Sequence, residues 1–281
     1  MRISVGQENQ VLRVISLILI ACLTFSCSSS RGSSANITTS QTYLNELETG
    51  KTIHQSIISR IPLYQDAELV SYVKEIGKSM LPYVKRQELP YQFYVLDDQR
   101  IYATSAPGGY VYITTGMILF VKDEAQLAAV LAHELGELQF PSNDFSYGKK
   151  IFQNVVQGAS MAAPMFGSIG ALVMVGLVGT YAIVNHKPSD EKKVRKADKA
   201  ALDYMRSAGH DPQGYLNFVQ TVQTEGMIRG DEMHDYLESR PVSDKRIFEI
   251  EKTFKHLPLE DQSFDVHREN FILKTRALHL N

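Results

Sequence analysis

Residues 123–140 read DEAQLAAVLAHELGELQF, and the rest of the chain is best read outward from them. The stretch predicts one helix. Asp123 is placed to cap its N-terminus, and Gln126, three residues on, is the matching capping-box partner. Leu127, Val130, Leu131 and Leu138 recur at helical spacing and give the helix one buried face. His133 and Glu137 are four residues apart and so share a face, with Glu134 beside them.

His133-Glu134-Leu135-Gly136-Glu137 is the zinc pattern H-E-x-x-H with its last letter changed. In the intact pattern two histidines bind Zn²⁺ from one helical face, and the glutamate beside the first is general base on the metal-bound water. Here His133 is the candidate first ligand and Glu134 the general base of any activity. Glu137 stands where the second histidine belongs. A stable zinc site takes about three protein ligands, and His133 with Glu137 supplies two at most. Without metal, two carboxylates beside one histidine repel each other, which favours protonating one of them or pairing with His133.

A chain of 281 residues is long enough for one domain of good size, or two at most. Its net charge of −2 gives no electrostatic case for nucleic acid, and no nucleic-acid motif is present. Arg2 and Arg13 precede an apolar run over 14–25, the length of a signal peptide and short for a membrane span. Both cysteines, Cys22 and Cys27, lie at its end. That placement predicts a lipoprotein signal peptide over 1–27. Cys27 is favoured as the lipid site, because it follows the fuller apolar run and leads into a serine-rich stretch. Cys22, after Leu19-Ile20-Ala21, is the alternative, and a plain cleaved signal is the third reading. A flexible tether is expected over 28–41 and one domain over 42–281.

Within that domain, helices are expected over 40–61 and 66–81, with Asp66 opening the second and Pro82 disturbing its last turn. Strands are expected over 91–96 and 110–114, separated by the turn Ala106-Pro107-Gly108-Gly109. After the central helix, residues 161–184 carry no charge and several glycines. Read alone they are a membrane-span candidate. The expectation here is instead a pair of helices within or against the domain, because a single crossing would part Glu134 from everything that follows. Further helices are expected from 188 to about 207, ended by Gly209, then over 213–224, 244–254 and 268–278.

Taken in order, several stretches resemble the gluzincin metalloendopeptidases of metallopeptidase family 48, the group of the CAAX prenyl protease and of periplasmic proteases of outer-membrane quality control. The early ones are Leu89-Pro90-Tyr91-Gln92-Phe93 and residues 103–112. The centre is Ala128 to Glu134. Later come Ala197-Asp198 with Leu202-Asp203-Tyr204-Met205, then Ala208-Gly209-His210-Asp211-Pro212. The last is Arg240-Pro241-Val242-Ser243 with Arg246-Ile247. The resemblance implies a mostly helical α+β, zincin-like domain with a small sheet. Its edge strand, at Ala103, Thr104 and Ser105, would bind substrate as an added strand. The short, single-domain lipoprotein branch is the nearest fit.

The family's zinc is held by both histidines of H-E-x-x-H and by the glutamate of a later E-x-x-x-D. By that resemblance Asp198 is the supporting aspartate, and the third-ligand position falls on Val194, which has no donor atom. A histidine that some members bring from a later loop is Arg240 here, and an asparagine often found before the substrate strand is Tyr102. Three ligand positions are therefore lost, at Glu137, Val194 and Arg240. Arg240 is also suited to neutralise Glu134 and Glu137. A rescue is open: Glu191, one helical turn before Val194, would join His133 and Glu137 on the metal, with His186 a further candidate.

Two functions lead, ahead of a purely structural lipoprotein in which the cleft is closed. The favoured one is a lipid-anchored cell-envelope pseudopeptidase that binds polypeptides as an adaptor or chaperone, without zinc. The rival is an active zinc endopeptidase of envelope protein quality control with a non-standard ligand set. Both place the protein at the periplasmic face of the envelope, with envelope or outer-membrane polypeptides as partners and the membrane reached through the lipid.

Overall fold

The computed structural model describes residues 33–140 and 191–279, apart from 227, 229–232, 234–235, 238–239 and 260–262. Cys22, Cys27, the apolar segment 161–184 and His186 lie outside the described residues. The chain divides into two units, 1–45 and 46–281. Of the first, the described part is the opening of a long helix, α1 (Ser33–Ile58), whose remainder belongs to the second. α1 begins inside the stretch expected to be a tether. No glycine or proline interrupts the chain from Ser33 to Thr49, so nothing local stops the helix from running back.

The second unit is mostly helical with one small sheet, an α+β arrangement. α2 (Ala67–Ser79) starts where expected, with the Asp66 side chain accepting from Leu69 N at 2.9 Å. Pro82 sits in the 3₁₀ turn Leu81–Tyr83 that follows. The sheet has three strands in the order β1-β3-β2. β1 (Gln92–Leu96) runs parallel to β3 (Tyr110–Thr114), and β2 (Ala103–Ala106) is antiparallel to β3. β2 is thus an edge strand. Gly108 (φ 76°) and Gly109 (φ 88°) make the turn into β3 in a region closed to most side chains.

Thr114 ends β3 and caps a short helix, α3 (Thr115–Phe120), by accepting from Met117 N at 3.1 Å. The central helix α4 (Glu124–Leu138) follows. Its cap is the expected Asp123, which accepts from Gln126 N at 2.9 Å. The reciprocal bond falls one residue early, from Lys122 N to the Gln126 side chain at 3.3 Å. The expectation of one buried face understates this helix. Leu127, Ala128, Ala129, Val130, Leu131, Ala132 and Leu135 are each at most 1% exposed, so α4 is enclosed on every side. Its alanines and Gly136 allow neighbours to come close. A Cβ on Gly136 would lie 2.8 Å from the Ala197 carbonyl oxygen of the next helix.

That neighbour is α5 (Glu191–Ala208), which ends at Gly209 (φ 84°). α6 (Gln213–Gly226) follows, then α7 (Asp244–Lys255), capped by the Ser243 hydroxyl accepting from Arg246 N. The helix expected over 268–278 is α8 (Arg268–Thr275) with a 3₁₀ turn, Arg276–His279. Among the described residues no helix is long and apolar enough to cross a membrane.

Candidate functional site

The middle of α4 carries His133 and Glu134 into the interior, where their side chains are 3% and 1% exposed. His133 Nδ1 lies 2.7 Å from the Tyr215 hydroxyl on α6 and 3.2 Å from Asp198 Oδ1 on α5. Tyr215 gives its one proton to Asp198 Oδ1 at 2.6 Å. The tyrosine oxygen is therefore an acceptor toward the ring, and His133 carries its proton on Nδ1. Nε2 is left facing Glu137 Oε1 at 3.4 Å, an ion-pair distance without hydrogen-bond alignment. Asp198 is clamped from the other side by Arg246 on α7, with Nη2 at 2.9 Å and Nε at 3.0 Å. This is a two-pronged pair of the strong kind.

Arg240 closes the group. Its Nη2 donates to Glu134 Oε2 and to Glu137 Oε2, each at 2.9 Å, and its Nη1 donates to the Ala103 carbonyl of β2 at 3.1 Å. The side chain is 2% exposed and its guanidinium lies over the Tyr236 ring, 5.5 Å from the centroid. The turn that presents it is fixed at both ends. Arg240 N donates to Tyr236 O at 2.8 Å, and Arg246 Nη1 reaches the carbonyls of Arg240 and Pro241, each at 3.4 Å.

Two arginines thus face three carboxylates, and one further proton makes the cluster neutral. Burial pushes Glu134 up from the ordinary carboxylate range, with Glu137 adding to the rise and Arg240 opposing it. Burial would also lift Glu137, but Arg240 and His133 outweigh it and hold that carboxyl low. Glu137 keeps 28% of its side chain exposed, so the charge sits on the wetter of the two glutamates. For His133, burial works against the charge and the neighbouring carboxylates of Asp198 and Glu137 overcome it, raising its pKa. Burial likewise opposes charge on Asp198, and Arg246 and His133 depress it well below the usual range. The spare proton belongs to His133 or Glu134.

The family model of Peptidase family M48 matches residues 68–254. That is about two thirds of the chain, and it contains every residue of the cluster. The chain belongs to peptidase family M48. A beta-barrel assembly-enhancing protease of Yersinia pestis is 24% identical over 220 residues, 72% of this chain and 42% of its own length. The protein of that name from Escherichia coli (strain K12) is 21% identical over 191 residues, 62% of this chain and 37% of its own. A mitochondrial metalloendopeptidase of Schizosaccharomyces pombe is 22% identical over 214 residues, 75% of this chain and 60% of its own. The chain therefore spans about two fifths of the length of these bacterial relatives.

The family is zinc-dependent in general, but the described residues of this chain do not fit the ion. On α4, His133 Nε2 and Glu137 Oε1 lie 3.4 Å apart and together supply two donors. Val194, at the third-ligand position, is a buried apolar side chain, 5% exposed. Glu191 is not brought to the cluster. Its side chain is 79% exposed and pairs with Arg195 at 3.2 Å. Asp198 has both oxygens committed to Arg246 and Tyr215. The carboxylates that would help neutralise a dication already share a guanidinium, whose like charge would oppose a metal beside it. Among the described residues no group of three potential ligands is suited to hold a metal.

Tyr102 is buried, 2% exposed, with its ring edge-on to Tyr236 at 6.3 Å. Ala103 and Thr104 are buried and Ser105 is half-buried. Two participants went unassigned in the sequence reading. Tyr215 sits in an ordinary amphipathic helix and nothing local marks it. Arg246 shows only as part of a resembling stretch. A tyrosine and an arginine that both meet one buried aspartate become visible only when α5, α6 and α7 are packed together.

Proposed function

We propose that this chain is a lipid-anchored cell-envelope protein with a metallopeptidase fold and a degenerate metal site, which binds polypeptides as an adaptor or chaperone. The observation that carries the reading is Arg240, whose guanidinium bridges Glu134 and Glu137. A general base must reach a water with a free lone pair. Glu134 is instead buried against the Arg240 guanidinium, which supports reading it as a structural member of an ion cluster. The names of the bacterial relatives point to the assembly of outer-membrane β-barrels, so unfolded envelope polypeptides are the partner class. Their names support a periplasm-facing location in the same way. The lipid anchor, at Cys27 or alternatively Cys22, rests on the N-terminal sequence.

The experiment mixes the purified mature protein with a urea-unfolded outer-membrane β-barrel polypeptide and follows light scattering and chain integrity together. The expected result is slowed aggregation with no cleavage, retained in Glu134→Gln. Cleavage by the unmodified protein that disappears in Glu134→Gln would replace this reading with an active endopeptidase.

A further inference from the structure

We infer that Arg240 is a clamp on the free edge of β2, so that the ion cluster and an added polypeptide strand compete for the same backbone. The inference rests on the proposal that this chain binds polypeptides, and it concerns how that binding is controlled.

The register sets the geometry. Thr114 N donates to Tyr102 O at 3.0 Å, and the β2–β3 ladder pairs Thr104 with Tyr112 and Ala106 with Tyr110. In an antiparallel pair, backbone groups alternate toward and away from the partner strand. Tyr102, Thr104 and Ala106 therefore face β3, and Ala103 and Ser105 turn their N–H and C=O groups to the open edge. A polypeptide joining the sheet at β2 has only those two residues to pair with. The Ala103 carbonyl is already taken by Arg240 Nη1. Ala103 is itself 1% exposed. What remains is Ser105, too short an edge to hold a strand.

The clamp is held by charge. The guanidinium that reaches Ala103 with one nitrogen reaches Glu134 and Glu137 with the other. It cannot leave the edge without leaving both carboxylates. The clamped state hides the edge from edge-to-edge association, a task that natural sheets assign to charged side chains. It also makes the binding-competent state a minor one, and apparent affinity falls by the fraction that is open. Anything that loosens the hold of Glu134 and Glu137 on Arg240 should strengthen polypeptide binding.

The test measures anisotropy of a fluorescein-labelled decapeptide of alternating threonine and valine with the full mature chain. Arg240→Met alone strands the buried Glu134 carboxylate and the half-buried Glu137 carboxylate and risks unfolding. The working variant is therefore Arg240→Met with Glu134→Gln and Glu137→Gln, which removes all three charges together. The expected result is binding at least about tenfold tighter than that of the unmodified protein. Adding Ser105→Pro, which deletes an outward N–H without touching the β3 ladder, should return the affinity to the starting value. Equal binding by the unmodified protein and the triple variant, or a gain that survives Ser105→Pro, would overturn the clamp and leave polypeptide binding standing. Binding by neither protein would overturn both.

Discussion

Arg240→Met keeps much of the side chain's length and removes its charge and its hydrogen-bond donors. The unmodified residue is 2% exposed, and it is the described cation that pairs with Glu134, itself 1% exposed. Removing one partner of a buried ion pair costs about 3–5 kcal/mol, because the other charge is left in a poor solvent. Two features bear on the size here. Glu137 is 28% exposed and partly hydrated, which softens its loss. Glu134 already has a raised pKa and escapes part of the penalty by taking up a proton. The lost bond to Ala103 adds about 1 kcal/mol. The expected loss is about 3–4 kcal/mol at pH 7.5, a large share of a typical folding free energy of about 5–15 kcal/mol. For a domain of this size that lowers Tm by roughly 10 °C. Urea denaturation followed by circular dichroism measures it, with an unchanged m-value showing that only stability moved. At pH 5 the loss should shrink, since Glu134 protonates. The triple variant with Glu134→Gln and Glu137→Gln should recover most of it. A loss under about 1 kcal/mol at pH 7.5, or a triple variant as unstable as the single one, would refute a charge-balanced cluster.

Other expectations follow from the same geometry. Gly136→Ala places a Cβ 2.8 Å from the Ala197 carbonyl oxygen, so α4 and α5 must separate, and stability should fall by about 1–3 kcal/mol in the same denaturation assay. Stability should be greatest near about pH 5 and fall from there toward neutral pH. Asp198 and Glu137 have depressed pKa values, so what they contribute is present above about pH 4 and lost as pH falls. His133 and Glu134 have raised ones, so theirs is complete at acid pH; the Glu134 part is lost as pH rises from its ordinary value to about 7, and the His133 part at higher pH. A Tm profile still climbing between about pH 6 and 8 would contradict this, and Glu134→Gln should flatten the fall between about pH 5 and 7. Cys27→Ser should release the protein from membranes while Cys22→Ser leaves it anchored. The opposite pattern moves the lipid to Cys22, and no effect from either removes the anchor.

Much of this arrangement is legible in the chain, and the gaps have physical causes. The 3.6-residue spacing places His133 and Glu137 on one face of α4, and the caps Asp66, Asp123 and Ser243 mark helix starts that the structure keeps. α3 is not visible, because Thr-Gly-Met-Ile-Leu-Phe reads as apolar chain continuing β3. Nor does β2 announce itself, since Ala-Thr-Ser-Ala has no alternation of large apolar and polar residues; it is expected only through the family resemblance. The full burial of α4 is hidden for a related reason. Alanine is ambiguous in a pattern, and only the close approach of α5 turns those alanines into contacts. Arg240 can be matched to the two glutamates by charge alone, but its bond to Ala103 depends on a turn and an edge strand far apart in sequence.

Metal content tests the central claim most directly. Mature protein, expressed in zinc-replete medium and purified without chelator, would be analysed for zinc per chain, with Glu137→Ala in parallel. A centre whose charges are balanced by Arg240 requires well under one zinc per chain and a Tm that chelator does not move. One zinc per chain, lost in Glu137→Ala together with cleavage of casein, would contradict it and show that Arg240 gives way to a metal.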